Sequence, residues 1–99
     1  MDWEYPVVPG PPGHPYNIKD RENFTELVKE LRAVMQKDDV LSFAAGGFPS
    51  YLEQSIEWTK VMPLIDHVNL MSYDLYGGYS KKTGHHTPLY SNSEQNKSA

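Results

Sequence analysis

Residues Val40-Leu41-Ser42-Phe43-Ala44-Ala45-Gly46-Gly47 form a short, nearly continuous apolar run that stops on a glycine pair. A run of this length without polar alternation suits a strand buried on both faces, as in a parallel sheet, and predicts a strand over 40–45. Helical patterns flank it on both sides. Upstream, Phe24, Leu27, Val28, Leu31, Val34 and Met35 fall on one helical face behind Asp20, a credible N-cap, so a helix is expected over 20–36. Downstream, Pro49-Ser50 opens a second helix over 50–62, with Tyr51, Leu52, Ser55, Ile56 and Thr59 along it and Pro63 as its stop. A further strand is expected over 67–73.

Toward the N-terminus, Asp2 to Pro6 reads as the end of a strand. The Pro- and Gly-rich segment after it forbids helix or central strand, which makes 6–19 a stiff loop. Residues 74–99 are polar and Gly-rich, a loop expected to fray toward Ala99. The order strand, helix, strand, helix, strand implies α/β architecture with parallel pairing, and places chemistry at the C-terminal ends of the strands. Three strands cannot close a barrel, and a complete eightfold barrel takes about 250 residues. A chain of 99 residues is therefore expected to be a piece of one, or a small open sheet.

Composition narrows the function. With 38% hydrophobic and 22% charged residues the chain is globular in character. Its net charge of -4 and its scattered Lys and Arg give no footprint of a nucleic-acid binder. No apolar run approaches a bilayer span, so no membrane partner is expected. Without cysteine there are neither disulfides nor thiolate metal sites, and His14, His67, His85 and His86 have no partners at metal-ligand spacing. The generous aromatic content favours core packing over sugar stacking on composition alone.

Two segments could carry chemistry. In Asp2-Trp3-Glu4-Tyr5 the acids alternate onto one face of an extended chain, about 7 Å apart at Cα. Were they to share a buried space, one would hold its proton at neutral pH, as general acid catalysis requires. Spacing alone favours a plain solvated strand end. In Asn69-Leu70-Met71-Ser72-Tyr73-Asp74, Asn69, Met71 and Tyr73 share one face, and the Tyr hydroxyl and Asp carboxylate could bind a polar substrate. Core filling by Met71 and Tyr73 is the bland alternative.

Taken together these segments resemble glycoside hydrolase family 18, the chitinases. Asp-Trp-Glu-Tyr-Pro is similar to the end of the D-x-x-D-x-D-x-E signature, and Met71-Ser72-Tyr73-Asp74 to the M-x-Y-D motif. Phe43-Ala44-Ala45-Gly46-Gly47 resembles the small-residue strand end that floors the sugar pocket. Asp20 to Phe24 and Gly84 to Tyr90 also look like chitinase sequence, so the resemblance runs over nearly the whole chain.

The resemblance implies an incomplete (β/α)8 TIM barrel with three parallel strands and two helices present. It implies hydrolysis of β-1,4-linked N-acetylglucosamine polymers with retention, the attacking group being the substrate's own acetamido oxygen. Glu4 would be the general acid and base. Asp2 would orient the acetamido group, and Tyr73 would hydrogen-bond it. Tyr5, Met71, Asp74, Gly46 and Gly47 would bind the sugars. No cofactor or metal is implied, the partners are chitin or its oligosaccharides, and the parent protein is expected to be secreted. Earlier acids of the signature and later strands are expected to be missing, leaving this piece without activity of its own. A chitinase-like lectin that binds without cleaving is the alternative; such relatives usually lack the acid at the position of Glu4.

Overall fold

The computed structural model describes residues 1–99. Its elements run α1 (Asp20–Val34), β1 (Ser42–Gly46), α2 (Pro49–Gln54), α3 (Trp58–Val61), a 3-10 turn (Met62–Leu64) and β2 (His67–Met71). β1 and β2 are parallel, in register from Ser42 beside His67 to Gly46 beside Met71. The short helices form the crossover between them, as parallel pairing demands.

Two strands are assigned where three were expected. The missing one is reduced to a single bridge: the Met1 amino group donates to the Ser42 carbonyl at 2.9 Å, and Ala44 N–H donates to the Met1 carbonyl at 2.8 Å. That is the bond pair of a parallel bridge onto Phe43. Beyond it the chain bends at Glu4, where the Glu4–Tyr5 peptide is cis.

The expected second helix is broken into two helices and the 3-10 turn. Ser55 and Ile56 at the break are fully buried, and the Ser55 hydroxyl donates to the Pro6 carbonyl. The indole N–H of Trp58 donates to the Leu52 carbonyl at 2.7 Å, closing the break from the other side. Pro63 does not stop a helix but sits inside the 3-10 turn.

Asp20 is the first helical residue rather than the cap. Its carboxylate turns back to accept from Asn17 N–H at 2.7 Å and Val7 N–H at 3.4 Å, which ties the Pro-rich loop to α1. The buried stripe of α1 is also rotated from expectation. Phe24, Thr25 and Val28 are buried while Leu27 and Val34 stand exposed, because the Thr25 hydroxyl finds an acceptor in Glu57 at 2.8 Å.

The core lies where α1, β1 and the crossover meet, around Phe24, Val28, Phe43, Tyr51, Ile56 and Val61. Seven aromatic side chains join it in one edge-to-face or tilted network running Trp3, Phe24, Phe43, Trp58, Tyr51, Tyr5 and Phe48. The molecule is nevertheless open. It exposes 7024 Å², against about 5,700 Å² for a closed monomer of this mass. The uncovered surface includes Leu70 on β2 and Val40 before β1.

One polar tie fixes the far end of the sheet. Asp66 accepts from Arg32 at 2.8 Å and from Leu41 N–H at 2.7 Å. The Arg32 guanidinium, and then the Leu41 N–H, hold the Asp66 carboxyl below the usual carboxylate range. A carboxyl so depressed stabilises the fold fully above its unfolded value near 4, and that contribution fades as pH falls through the folded value. Asp66→Asn should therefore lower Tm at pH 7, and its gap from the native chain should close as the pH drops below about 4. A gap that stays constant to pH 2 in thermal melts would contradict this.

Candidate functional site

The bridge between Met1 and β1 sets the acidic segment beside the C-terminal end of the sheet. There Glu4, Tyr5, Gly47, Met71, Tyr73 and Asp74 line one groove of about 690 Å³. Glu4 and the Tyr73 phenol, some seventy residues apart in the chain, are thus brought to one groove.

Two glycines allow that convergence. A Cβ on Gly10 would lie 2.0 Å from the Glu4 carbonyl oxygen, so only glycine lets the Pro-rich loop close over the Glu4 backbone. A Cβ on Gly47 would lie 2.5 Å from the Met71 carbonyl oxygen, which would force β1 and β2 apart at the groove floor. Behind Tyr5 the chain makes a tight γ-turn, with Val8 N–H donating to the Pro6 carbonyl at 2.8 Å around Val7 at φ 71°. For a β-branched residue that is a strained conformation. The Ser55 hydroxyl and the buried Val8 side chain hold it.

Glu4 is half-buried, whereas Asp2 is exposed and does not line the groove. The closed space that the two acids were expected to share is therefore absent from this chain. Their charges still converge on Tyr5, whose phenol is pushed up to about 12 by burial first and then by the Glu4 carboxylate, with Asp2 and Tyr73 adding to it. Gly46 is not a wall of the groove either. It is buried under the rings of Phe48 and Tyr51, where a Cβ would meet them at 2.8 and 2.9 Å, so its smallness serves packing.

Asp74 sits at φ 56°, the left-handed region that Asp tolerates better than most residues. His86 stands against it, Nε2 at 3.2 Å from Oδ1, and Leu75 N–H donates to the His86 carbonyl at 3.1 Å. These contacts close the loop that runs from 75 to 86 at its base.

Other groove residues escaped the sequence reading. Tyr79, an exposed aromatic on that loop, lines the groove, as do Asn96, Lys97 and Ser98 of the tail. The tail is tied back to the loop before it. Gln95 is buried, accepting from His85 N–H at 2.8 Å, and Ala99 N–H donates to the Pro88 carbonyl at 2.8 Å. A lone Gln in a polar stretch carries no periodic signal, so nothing in the sequence marked it; the aromatic at Tyr79 within a Gly-rich loop was the one available hint.

The whole chain, residues 1–99, matches the family model of glycosyl hydrolases family 18. Chitinase A1 of Niallia circulans is 33% identical over 96 residues, covering 90% of this chain and 14% of that protein. The oviduct-specific glycoprotein of Mus musculus is 35% identical over 103 residues, covering 96% of this chain and 14% of that protein. The crystal structure of the chitinase ChiW from Paenibacillus sp. strain FPU-7, described as a cell-surface-expressed multi-modular enzyme, superposes with a TM-score of 0.81 at 41% identity. That likeness covers 95% of this chain and 12% of ChiW. The chain thus spans about a seventh of the length of these two curated relatives.

The electrostatics of the groove can be tested directly. With the neighbouring carboxylate charge removed, Glu4→Gln should bring Tyr5 ionisation to lower pH, still above 10 because burial is the larger cause. Carbon-13 NMR of ring-labelled tyrosine, assigned with Tyr5→Phe, reads this shift; an unchanged titration would separate the two side chains.

Proposed function

The chain belongs to glycosyl hydrolases family 18, and from that premise we propose that the protein built on it hydrolyses β-1,4-linked N-acetylglucosamine polymers such as chitin. The observation that carries the proposal is the groove itself, where Glu4 meets Tyr73, Asp74 and Met71 at the ends of neighbouring parallel segments.

In this reading the sugar that bears the scissile bond lies over Met71 and Gly47. Glu4 donates its proton to the glycosidic oxygen as the bond to the anomeric carbon breaks. The acetamido oxygen of that same sugar attacks the anomeric carbon from the opposite face, giving a cyclic cation in place of a glycosyl-enzyme ester. Asp2, turned inward in a complete barrel, holds the acetamido N–H and stabilises the positive charge, and the Tyr73 hydroxyl donates to the acetamido oxygen. Glu4, now a carboxylate, takes a proton from the water that opens the cycle, so configuration is retained. The requirement for a 2-acetamido group follows from the absence of an enzyme nucleophile. Tyr79 offers an exposed ring on which a leaving sugar can stack.

The same resemblance supports a complete (β/α)8 barrel, with further strands laid against the uncovered edge of β2 and against the Met1 segment, and a secreted or cell-surface setting for a polymer substrate. The alternative is a chitinase-like protein that binds such sugars without cleaving them. Glu4, half-buried in the groove, favours cleavage.

In a complete barrel carrying this segment, Glu4→Gln should lower turnover of a chromogenic chitooligosaccharide by about 10²–10⁴-fold while leaving oligosaccharide binding in place. Residual full activity in that variant would remove Glu4 from the mechanism. The 99-residue chain alone, with the groove open on one side, should give no turnover.

A further inference from the structure

The loop that carries Tyr79 into the groove also walls a second hollow, of about 350 Å³, lined by Tyr76, Ser80, Lys81, Lys82, Thr83 and Gly84. No carboxylate lines it. The chain has 13 acidic and 9 basic residues, and Lys29, Arg32 and Lys60 each find an acid partner. Lys81 and Lys82 have none. Lys97, also without an acid partner, stands over the Tyr76 ring at 5.4 Å and lines the groove. Two lysines without an acid partner therefore line the hollow, and a third stands over one of its walls, in a protein of net charge -4.

The hollow is built rather than incidental. A Cβ on Gly84 would lie 2.5 Å from the Tyr76 ring, so glycine is what lets the loop close over it. Ser80 N–H donates to the Gly77 carbonyl at 2.9 Å, and Gly77 N–H to the Ser80 hydroxyl at 3.1 Å, fixing the turn before the lysines. The Asp74–His86 contact at 3.2 Å pins the loop's base, and its acid faces the groove rather than the hollow. Adjacent like charges repel, and an anion seated between them relieves that repulsion while accepting from the ammonium groups and hydroxyls.

We propose that residues 76–84 form an anion subsite that selects glycans bearing an acidic substituent, a carboxylate, phosphate or sulfate group, on a sugar next to those held in the groove. The proposal rests on the groove being a glycan site. Lys97 lines the groove and stands over Tyr76, a wall of the hollow, and Tyr79 lines the groove from the same loop as Lys81 and Lys82, so a chain lying along the groove would carry its substituent toward those lysines.

The test is calorimetric titration of the 99-residue chain with a neutral N-acetylglucosamine tetramer, with the same tetramer carrying O-carboxymethyl groups, and with inorganic phosphate alone. The carboxymethylated sugar should bind on the order of fivefold tighter at low salt. High salt should erase that advantage. Lys81→Ala/Lys82→Ala should abolish it and Lys81→Glu/Lys82→Glu should reverse it, with neutral tetramer affinity unchanged and NMR amide spectra showing the core intact. Equal affinities in the native chain, or a preference that survives charge reversal, would overturn the subsite. So would phosphate alone binding as tightly as the acidic sugar, since the site would then serve free anions. If the acidic sugar binds through the lysines while the neutral one does not bind, the subsite stands and the groove reading falls; binding of neither overturns both.

Discussion

Two backbone hydrogen bonds, from the Met1 amino group to Ser42 and from Ala44 to Met1, decide where the acidic segment lies. A parallel bridge fixes both position and direction, so once Met1 is beside Phe43, Glu4 must arrive at the C-terminal end of the sheet. β2 delivers Met71 and Tyr73 to that same end because it too is parallel to β1. An antiparallel partner would have sent one set of groups to the opposite end.

Parallel geometry brings the segments near one another, and missing side chains let them touch. Gly10 admits the Pro-rich loop onto the Glu4 backbone, Gly47 admits β1 to the carbonyl of Met71, and Gly46 makes room for Phe48 and Tyr51. The aromatic network then runs as a continuous wall through the core from Trp3 to Tyr5 and Phe48, the two of its rings that line the groove. Burial in that wall raises the Tyr51 phenol above its ordinary value, and Tyr51 keeps a hydroxyl without a hydrogen-bond partner. Packing of rings outweighs the cost of that one polar atom, which lies in the range of about 1–3 kcal/mol. The charged groups of the site stand on the wet side of the wall, where an incoming polar ligand can reach them.

The loop from 75 to 86 and the tail after it complete the groove by a different logic. Neither has helix or strand, and both are held by specific polar contacts: His86 with Asp74, Gln95 with His85, Ala99 with Pro88. Such segments can change sequence without disturbing the sheet, so they are where a shared scaffold acquires its own preferences.

Fold class and family were legible in the residues alone. Strand-forming apolar runs, a helical stripe behind Asp20 and the two acidic motifs are local patterns, readable because neighbours in sequence remain neighbours in space. The break in the second helix was not legible, since it depends on Ser55 reaching Pro6, 49 residues away. Nor was the rotation of α1 toward Thr25, which waits on Glu57. The spacing of Asp2 and Glu4 favoured a solvated strand end and only the family resemblance pointed to a shared pocket; enclosure is a property of the surrounding surface, and in this chain Asp2 faces water. The sequence by itself determined which residue types could do chemistry and at what intervals; the tertiary structure decided which of them share a wall, because distance between remote segments is set by backbone pairing and close packing that no local pattern encodes.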